Sequence, residues 1–203
     1  METNRQSSLK SPLDGMVMTE TVYSVQEYVE DLKRITAEET DKKAIFKRLA
    51  PLAQKLAATP GWVTDTYRQC DEEQGFGVHV LHEEDDHANA VFVVSWLPNR
   101  GTPPHDHGTW AVVASIEGKE KETMWRRNDD AKPGYADLEQ GTEAIMTAGK
   151  VSCMLSGDIH TVWNVSDDIS LSLHTYGKHV NFTDRSQFDP EAKSAEPFLL
   201  TVE

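Results

Sequence analysis

The stretch Gly101-Thr-Pro-Pro-His105-Asp-His107-Gly-Thr-Trp110 carries two histidines one residue apart, between a Gly/Pro loop and an apolar run. Residues two apart on a β-strand point to the same face, so His105 and His107 can direct their imidazoles at one point. Neutral imidazole binds Fe, Zn, Ni and Cu, and a shared metal ion is the usual reason for such a pair. The alternative is a pair of surface histidines at the start of a strand.

The sequence around this stretch alternates as β-strands do. Between residues 76 and 176, at least seven short apolar or alternating segments are separated by turns rich in Gly, Asp and Ser. This pattern is typical of a β-sandwich, jelly roll or barrel. Upstream, helical spacing predicts one helix over 24–35 and a second over about 41–57, which Pro51 should kink or divide.

Length and charge limit what the protein does. The 203 residues can bury one sizeable core, and the 38% apolar and 27% charged shares are ordinary for a soluble protein. A net charge of −14, from 34 acidic and 20 basic residues, argues against nucleic acid or an anionic membrane as a partner. Cys70 and Cys153 form no CxxC pair, and no signal peptide or membrane-spanning run is present, so we expect a cytoplasmic protein.

The same patterns suggest three parts of the chain. We expect a flexible tail over residues 1–22, helices packed on the barrel over 23–60, and the β-domain over 61–203. Whether the protein is a monomer or a homo-oligomer stays open at this point.

A second histidine pattern lies downstream of the pair. It runs Gly149-x5-Leu155-x-Gly157-x2-His160-x3-Asn164 and resembles the second cupin motif in every named position except Leu155, where the motif has Pro. The stretch Gly101…His105-x-His107…Gly118 resembles the first cupin motif. That motif normally also has a Glu four or five residues after its second His, where this chain has Ala111 and Val112. The resemblance implies an all-β cupin double-stranded β-helix (jelly roll) with an N-terminal helical segment. It also implies a metal shell of His105, His107 and His160.

Three neutral ligands leave coordination positions open for substrate, water or O2. A facial set of protein ligands with open positions is the arrangement of non-haem Fe(II) oxygenases. A thiolate, as a soft anionic ligand, would compensate for the missing carboxylate. The same three histidines are equally suited to a tetrahedral zinc ion with an activated water. The number of ligands alone does not separate these two chemistries.

The segment Ser172-Leu-His174-Thr-Tyr176 places three polar side chains on one face of a strand, with Leu171 and Leu173 on the other. Such a series fixes a phenol hydroxyl through the imidazole behind it. A polar, solvent-exposed face of an edge strand is the alternative. The position one hairpin after His160 favours a role beside the metal.

Together these residues resemble the cysteine dioxygenase family of thiol dioxygenases, cupins that use Fe(2+) and O2 to convert a thiol to a sulfinic acid. His105, His107 and His160 match the family's iron ligands, and Ser172, His174 and Tyr176 match its Ser-His-Tyr strand. The segment Thr109–Ser115 lacks the Cys that cross-links to the Tyr in animal-type enzymes. The resemblance is therefore closer to the bacterial 3-mercaptopropionate dioxygenase type, with Tyr176 unmodified.

This resemblance implies a small thiol carboxylate and O2 as substrates, with an Arg that binds the carboxylate. The guanidinium fork suits a carboxylate because it donates two parallel hydrogen bonds. The mercaptopropionate type places this Arg nine residues after the Tyr, at Arg185, and the animal type places it before the sheet, where Arg68 stands. We favour Arg185, with Gln69 as a further pocket residue. The alternatives are another metal-dependent cupin enzyme, such as a non-thiol dioxygenase or an isomerase, and a non-catalytic cupin that binds a small ligand.

Overall fold

The computed structural model describes residues 22–202, so the flexible tail predicted for 1–22 lies almost wholly outside the described residues. Two helices come first, α1 over Val25–Glu38 and α2 over Lys42–Ala58. Both lie where the helical spacing predicts them, within three residues at each end. Neither has the length and hydropathy of a membrane span, nor does any other helix of the described chain.

Pro51 lies inside α2, which continues through it, so of the two predicted outcomes, a kink or a division, the division does not occur. Proline removes one backbone N–H and crowds the preceding turn, at a cost of about 3 kcal/mol in an isolated helix. Leu49 and Ala53, on either side of Pro51, are completely buried. Their packing holds both halves of the helix on the protein, because tertiary contacts override a local cost of this size.

Ten strands follow in the described chain. They are β1 (Phe76–His82), β2 (Ala88–Trp96), β3 (Ala111–Glu117), β4 (Lys119–Arg127), β5 (Leu138–Thr147), β6 (Val151–Met154), β7 (Ile159–Asn164), β8 (Ser170–Lys178), β9 (Ser186–Asp189) and β10 (Ser194–Pro197). The alternating pattern finds the first eight. It misses β9, whose four residues are too few for a period to be recognised.

Two antiparallel sheets face each other. The larger sheet has the order β1-β2-β8-β3-β6 and the smaller sheet the order β5-β4-β7, while β9 and β10 form a separate hairpin. After β3 the chain crosses to the smaller sheet for β4 and β5, then returns for β6, crosses for β7 and returns for β8. This alternation between facing sheets makes a double-stranded β-helix, so the predicted all-β cupin fold with N-terminal helices is confirmed.

The two helices cover the outer face of the larger sheet. Leu32 of α1 and Leu56 of α2 share one buried cluster with Val112 of β3 and Leu173 of β8. A hydrogen bond of 2.6 Å between the hydroxyls of Tyr28 and Thr175 ties α1 to β8. Since alternate residues of β8 point to opposite faces, Ser172, His174 and Tyr176 lie on its inner face, toward the smaller sheet.

Candidate metal centre

Three histidines meet in the space between the two sheets. His105 and His107 come from the segment before β3 and His160 from β7, and their ligand atoms all lie within 4.8 Å of one another. Nε2 of His107 is 3.3 Å from Nε2 of His160. Two nitrogens that are each about 2.1 Å from one metal ion have this separation at an angle of roughly 100°. The arrangement therefore fits a first-row transition metal ion.

The segment around His105 is held in place by backbone pairing with β7, and it is not itself part of a regular strand. His105 and His160 exchange backbone hydrogen bonds of 2.9 and 3.0 Å in an isolated bridge. Gly101 permits the approach, because a Cβ there would lie 2.0 Å from the carbonyl oxygen of Val162. The regular strand expected at the His pair begins only at Ala111.

Hydrogen bonds to the far side of two of the rings leave their Nε2 atoms facing the centre. Nδ1 of His105 donates to the carbonyl oxygen of Pro103 at 3.0 Å, and Nδ1 of His160 donates to Glu122 at 3.0 Å. Ser152 donates to the other oxygen of Glu122, also at 3.0 Å. A histidine that binds metal almost always donates its other N–H to a carboxylate, a carbonyl or water. These contacts are those of metal-binding histidines.

Burial also keeps the imidazoles in the form that binds metal. It lowers the pKa of both His105 and His107 well below the ordinary value, so both rings are neutral at pH 7. Burial acts to raise the pKa of Glu122, but the hydrogen bonds from His160 and Ser152 lower it below the ordinary value. The result is a carboxylate behind the His160 imidazole.

Sequence reasoning missed Glu122, although a signal for it exists. β4 begins Lys119-Glu-Lys-Glu, a run of charged residues that by itself is typical of a solvent-exposed strand. A period of two places Glu120 and Glu122 on one face and the two lysines on the other. The structure turns both carboxyl groups inward, where Glu120 is 3% exposed.

The three polar residues of β8 form a continuous chain of hydrogen bonds. Ser172 Oγ lies 2.9 Å from Nε2 of His174, and Nδ1 of His174 lies 2.8 Å from the Tyr176 hydroxyl. Nε1 of Trp96 donates to Ser172 Oγ at 3.1 Å. Burial lowers the pKa of His174 to about 3 and raises that of Tyr176 to about 12, so both are neutral at pH 7. The solvent-exposed alternative for this strand is excluded.

Arg185 lies in the same space with two donors unused. It is 4% exposed, and its Nε and Nη1 have no hydrogen-bond partner among the described residues. The guanidinium stands 4.2 Å from the centre of the Phe198 ring. Burial lowers the pKa of Arg185 to about 10, which still leaves it charged at pH 7. The Asp106 carboxylate acts on Arg185 through its charge but is not hydrogen-bonded to it, and a buried charge with unused donors is costly, so this position favours an anionic ligand.

These side chains line one inner cavity. His105, His160, His174, Tyr176 and Arg185 contribute to its wall, and the remaining lining residues are Phe76, Val78, Val94, Trp96, Thr102, Val162, Phe198 and Leu200. A water-sized sphere can move through only about 20 Å³ of it. A larger outer pocket of about 370 Å³ shares Arg185 and Phe198 with the inner cavity. Those two side chains therefore form the wall between the site and the surface.

Arg68 and Gln69, the other two predicted substrate-binding residues, are not among the residues that line this cavity. Both nitrogens at the end of the Arg68 side chain pair with Glu117, at the far end of β3 from the histidines. Gln69 is exposed, and its backbone carbonyl oxygen accepts hydrogen bonds from the side chains of Ser95 and His79. The pairing of Arg68 within the protein leaves Arg185 as the guanidinium available to a ligand.

Comparison with solved structures finds proteins with a distantly similar fold. No protein-family model matches the chain. A Klebsiella pneumoniae protein with a double-stranded β-helix domain is 14% identical over 64% of this chain and 98% of its own length, with a TM-score of 0.45. A cupin-family protein from Methanocaldococcus jannaschii is 12% identical over 52% of this chain and 83% of its own, with a TM-score of 0.39.

An oxalate oxidase in complex with the substrate analogue glycolate is 16% identical, with a TM-score of 0.41. The aligned region spans 52% of the present chain and 52% of the oxalate oxidase chain, so the present chain spans about half the length of that protein. Likeness at this level says nothing of what the present chain binds or does.

Proposed function

We propose that this protein is an iron-dependent thiol dioxygenase, which adds both atoms of O2 to the sulfur of a small thiol carboxylate to give a sulfinic acid. The supporting observation is that three groups come together at one cavity. They are histidines arranged as metal ligands, a tyrosine hydrogen-bonded to a histidine, and a charged arginine whose Nε and Nη1 have no hydrogen-bond partner among the described residues. No single one of these features would distinguish the reaction. Their convergence supports a substrate with a metal-binding end and an anionic end.

His105, His107 and His160 would hold the metal, and Fe(2+) bound there would supply the coordination of a thiolate and the activation of O2. In the overall reaction, RSH and O2 give RSO2H. The O–O bond breaks, two S–O bonds form, and four electrons pass from sulfur to oxygen. The reaction therefore requires no external reductant, and none of this chain's groups has to change oxidation state.

Arg185 binds the carboxylate in this proposal. Its Nε and Nη1 donors have no partner among the described residues, and a carboxylate would satisfy both the hydrogen bonds and the charge. Hydrogen bonds to charged groups contribute roughly 1.5–3 kcal/mol each. The substrate would thereby be held with its sulfur within reach of the histidines that line the same cavity.

Tyr176 donates a hydrogen bond into the cavity, with His174 and Ser172 fixing its phenol. The raised pKa of Tyr176 keeps its proton in place at pH 7, so the hydroxyl acts as a donor. Apolar side chains make up most of the remaining wall and exclude water from the reacting atoms.

The wall also favours a substrate without an amino group. Arg185 is the only charged side chain among the described residues that line the inner cavity. A substrate ammonium would have no carboxylate to pair with, and burying it unpaired is costly. A simple thiol carboxylate such as 3-mercaptopropionate therefore suits this cavity better than cysteine does.

Oxygen consumption by the Fe(2+)-loaded protein tests the proposal. We expect 3-mercaptopropionate to support uptake of one O2 per sulfinate formed, and cysteamine, which lacks a carboxylate, to support little. Cysteine and mercaptosuccinate complete the series, and His160→Ala is the metal-deficient control. If metal binds but none of the four thiols supports uptake, the protein is a metal-binding cupin with another activity.

A further inference from the structure

Glu120 is a buried carboxyl group that the proposed reaction does not use. It lies on the inner face of β4, beside the hydroxyls of Ser170 and Ser172 on β8. Oε1 of Glu120 is buried and has no hydrogen-bond partner within the described part of the chain. A buried carboxyl with unused hydrogen-bonding capacity requires an explanation.

Ser172 connects this carboxyl to the chain that ends at Tyr176. A serine hydroxyl has one hydrogen and two lone pairs, and the Trp96 N–H occupies one lone pair. Neutral His174 has a single N–H, which points either to Ser172 or to Tyr176. The chain therefore has two possible directions, and the partner of the Ser172 hydrogen selects between them.

In the first direction, Ser172 donates to Nε2 of His174, and the Nδ1–H of His174 donates to the Tyr176 oxygen. The Tyr176 hydrogen is then free to point into the cavity. In the second direction, Tyr176 donates to Nδ1 and Nε2–H donates to Ser172. Ser172 must then give its hydrogen to another acceptor, and the Glu120 carboxylate is beside it.

We propose that Glu120 is a positioning residue whose protonation state sets the direction of the Ser172–His174–Tyr176 hydrogen-bond chain. With its proton, Glu120 favours the first direction and the Tyr176 hydroxyl faces the cavity. Without it, Glu120 accepts from Ser172 and the Tyr176 hydroxyl turns back to His174.

The charge environment of Glu120 allows this change near neutral pH. Burial raises the pKa of Glu120 to about 8, with Glu122 on the same strand adding to the rise and the two serines opposing it. The groups that face it are otherwise uncharged, the Ser170 and Ser172 hydroxyls from β8 and Asn164 from β7. The effect on catalysis rests on the proposed thiol oxidation, but the reversal of the hydrogen bonds does not.

The ¹⁵N chemical shifts of the His174 ring report the direction without metal or substrate. In the full-length metal-free protein labelled at histidine, the His174 signals are identified by their loss in His174→Gln. We expect the proton to move from Nδ1 to Nε2 with a midpoint near pH 8. Glu120→Gln cannot ionise, so its His174 tautomer should be the same at every pH.

Two further variants control for misfolding and for effects of removing any carboxylate. Glu120→Leu removes the acceptor and should hold the proton on Nδ1 throughout, whereas Glu143→Gln, at an exposed site on β5, should behave as wild type. A His174 tautomer that stays constant in the wild type between about pH 6 and pH 10 would overturn the proposal. So would a pH-dependent change that persists in Glu120→Gln and Glu120→Leu.

If a thiol is oxidised, the pH dependence of kcat gives a second measurement. One pH unit above the midpoint, about a tenth of the wild-type molecules keep the Tyr176 hydroxyl toward the cavity. The ratio of kcat for Glu120→Leu to wild type should therefore rise about tenfold from pH 7 to pH 9. If no thiol is oxidised, the proposed function fails while the NMR result still decides the role of Glu120.

Discussion

The Glu122 carboxylate of β4 accepts the Nδ1–H of His160 at 3.0 Å, so one strand of the smaller sheet orients a candidate metal ligand on the next. The bond fixes the tautomer of His160 and turns its Nε2 toward Nε2 of His107. Ser152, from the larger sheet, holds the second carboxylate oxygen. Both sheets thereby contribute to the placement of one imidazole.

Replacing Glu122 should weaken metal binding. Glu122→Gln keeps the shape of the side chain but loses the charge that orients and polarises His160, and we expect a loss of about 10–100-fold in metal affinity. Competition with a chromophoric chelator measures it. Glu143→Gln, which removes an exposed carboxylate of the same sheet, should leave the affinity unchanged, and equal affinities for both variants would contradict the assignment.

Arg185→Ala should raise KM for thiol carboxylates. The loss of one or two charge-assisted hydrogen bonds corresponds to roughly 10–100-fold. Arg68→Ala is the matched control, because Arg68 pairs with Glu117 at the surface and should alter KM little. Steady-state O2 consumption gives both constants, and a KM effect confined to Arg68→Ala would move the carboxylate site there.

Tyr176→Phe should lower kcat with little effect on metal affinity. The variant keeps the packing but removes the donor that faces the cavity, and the loss of one such donor costs on the order of 100-fold in kcat. Tyr135→Phe, at an exposed tyrosine, is the control. Unchanged sulfinate formation by Tyr176→Phe would exclude the hydroxyl from the reaction.

Phe198→Ala should broaden the range of thiols accepted. The centre of the Phe198 ring lies 5.3 Å from the centre of the His105 ring, and the Arg185 guanidinium stacks over the Phe198 ring. Phe198 lines both the inner cavity and the outer pocket. Its removal should raise kcat/KM for mercaptosuccinate relative to 3-mercaptopropionate. Phe182→Ala, at an exposed ring, serves as control, and an unchanged ratio in Phe198→Ala would show that the wall does not select substrate size.

Glu120 should also make the stability of the protein depend on pH. Its pKa rises from 4.5 to about 8 on folding, so the stability that the protonated group provides is complete below pH 4.5 and is lost as pH rises through 8. Over this window the wild type should lose a few kcal/mol relative to Glu120→Gln. The Tm difference between them should grow by several degrees from pH 5 to pH 9. Parallel Tm curves would contradict the burial of an ionisable carboxyl.

Much of the candidate site could be predicted because its signals are local. Ser172, His174 and Tyr176 need only the two-residue period of a strand, and His160 needs only its spacing from Gly149. The existence of the first eight strands followed from the same alternation. Whether Pro51 divides α2 could not be decided from the sequence, because its local cost is offset by the burial of Leu49 and Ala53 against a sheet that lies far away in the chain.

The choice between Arg68 and Arg185 could not be made from the residues alone. Both are single arginines in polar stretches, and only the resemblance favoured Arg185. Folding pairs Arg68 with Glu117 and buries Arg185 beside the histidines with two donors unused. Which charge remains available to a ligand depends on contacts between residues far apart in the chain.

By itself the sequence indicated an all-β core, the histidine pattern and the polar face of β8, because each depends on spacing along one strand or one motif, and the resemblance to the cupin motifs narrowed the core to a β-helix. Only the tertiary structure decided what surrounds them. The facing of the two sheets placed Glu122 behind His160 and Glu120 beside Ser172, and turned two residues of an apparently polar strand into buried carboxyl groups. Burial then determined the protonation and the hydrogen bonding of these groups. Removal from water changes the pKa of each group and leaves its hydrogen bonds to be satisfied within the protein.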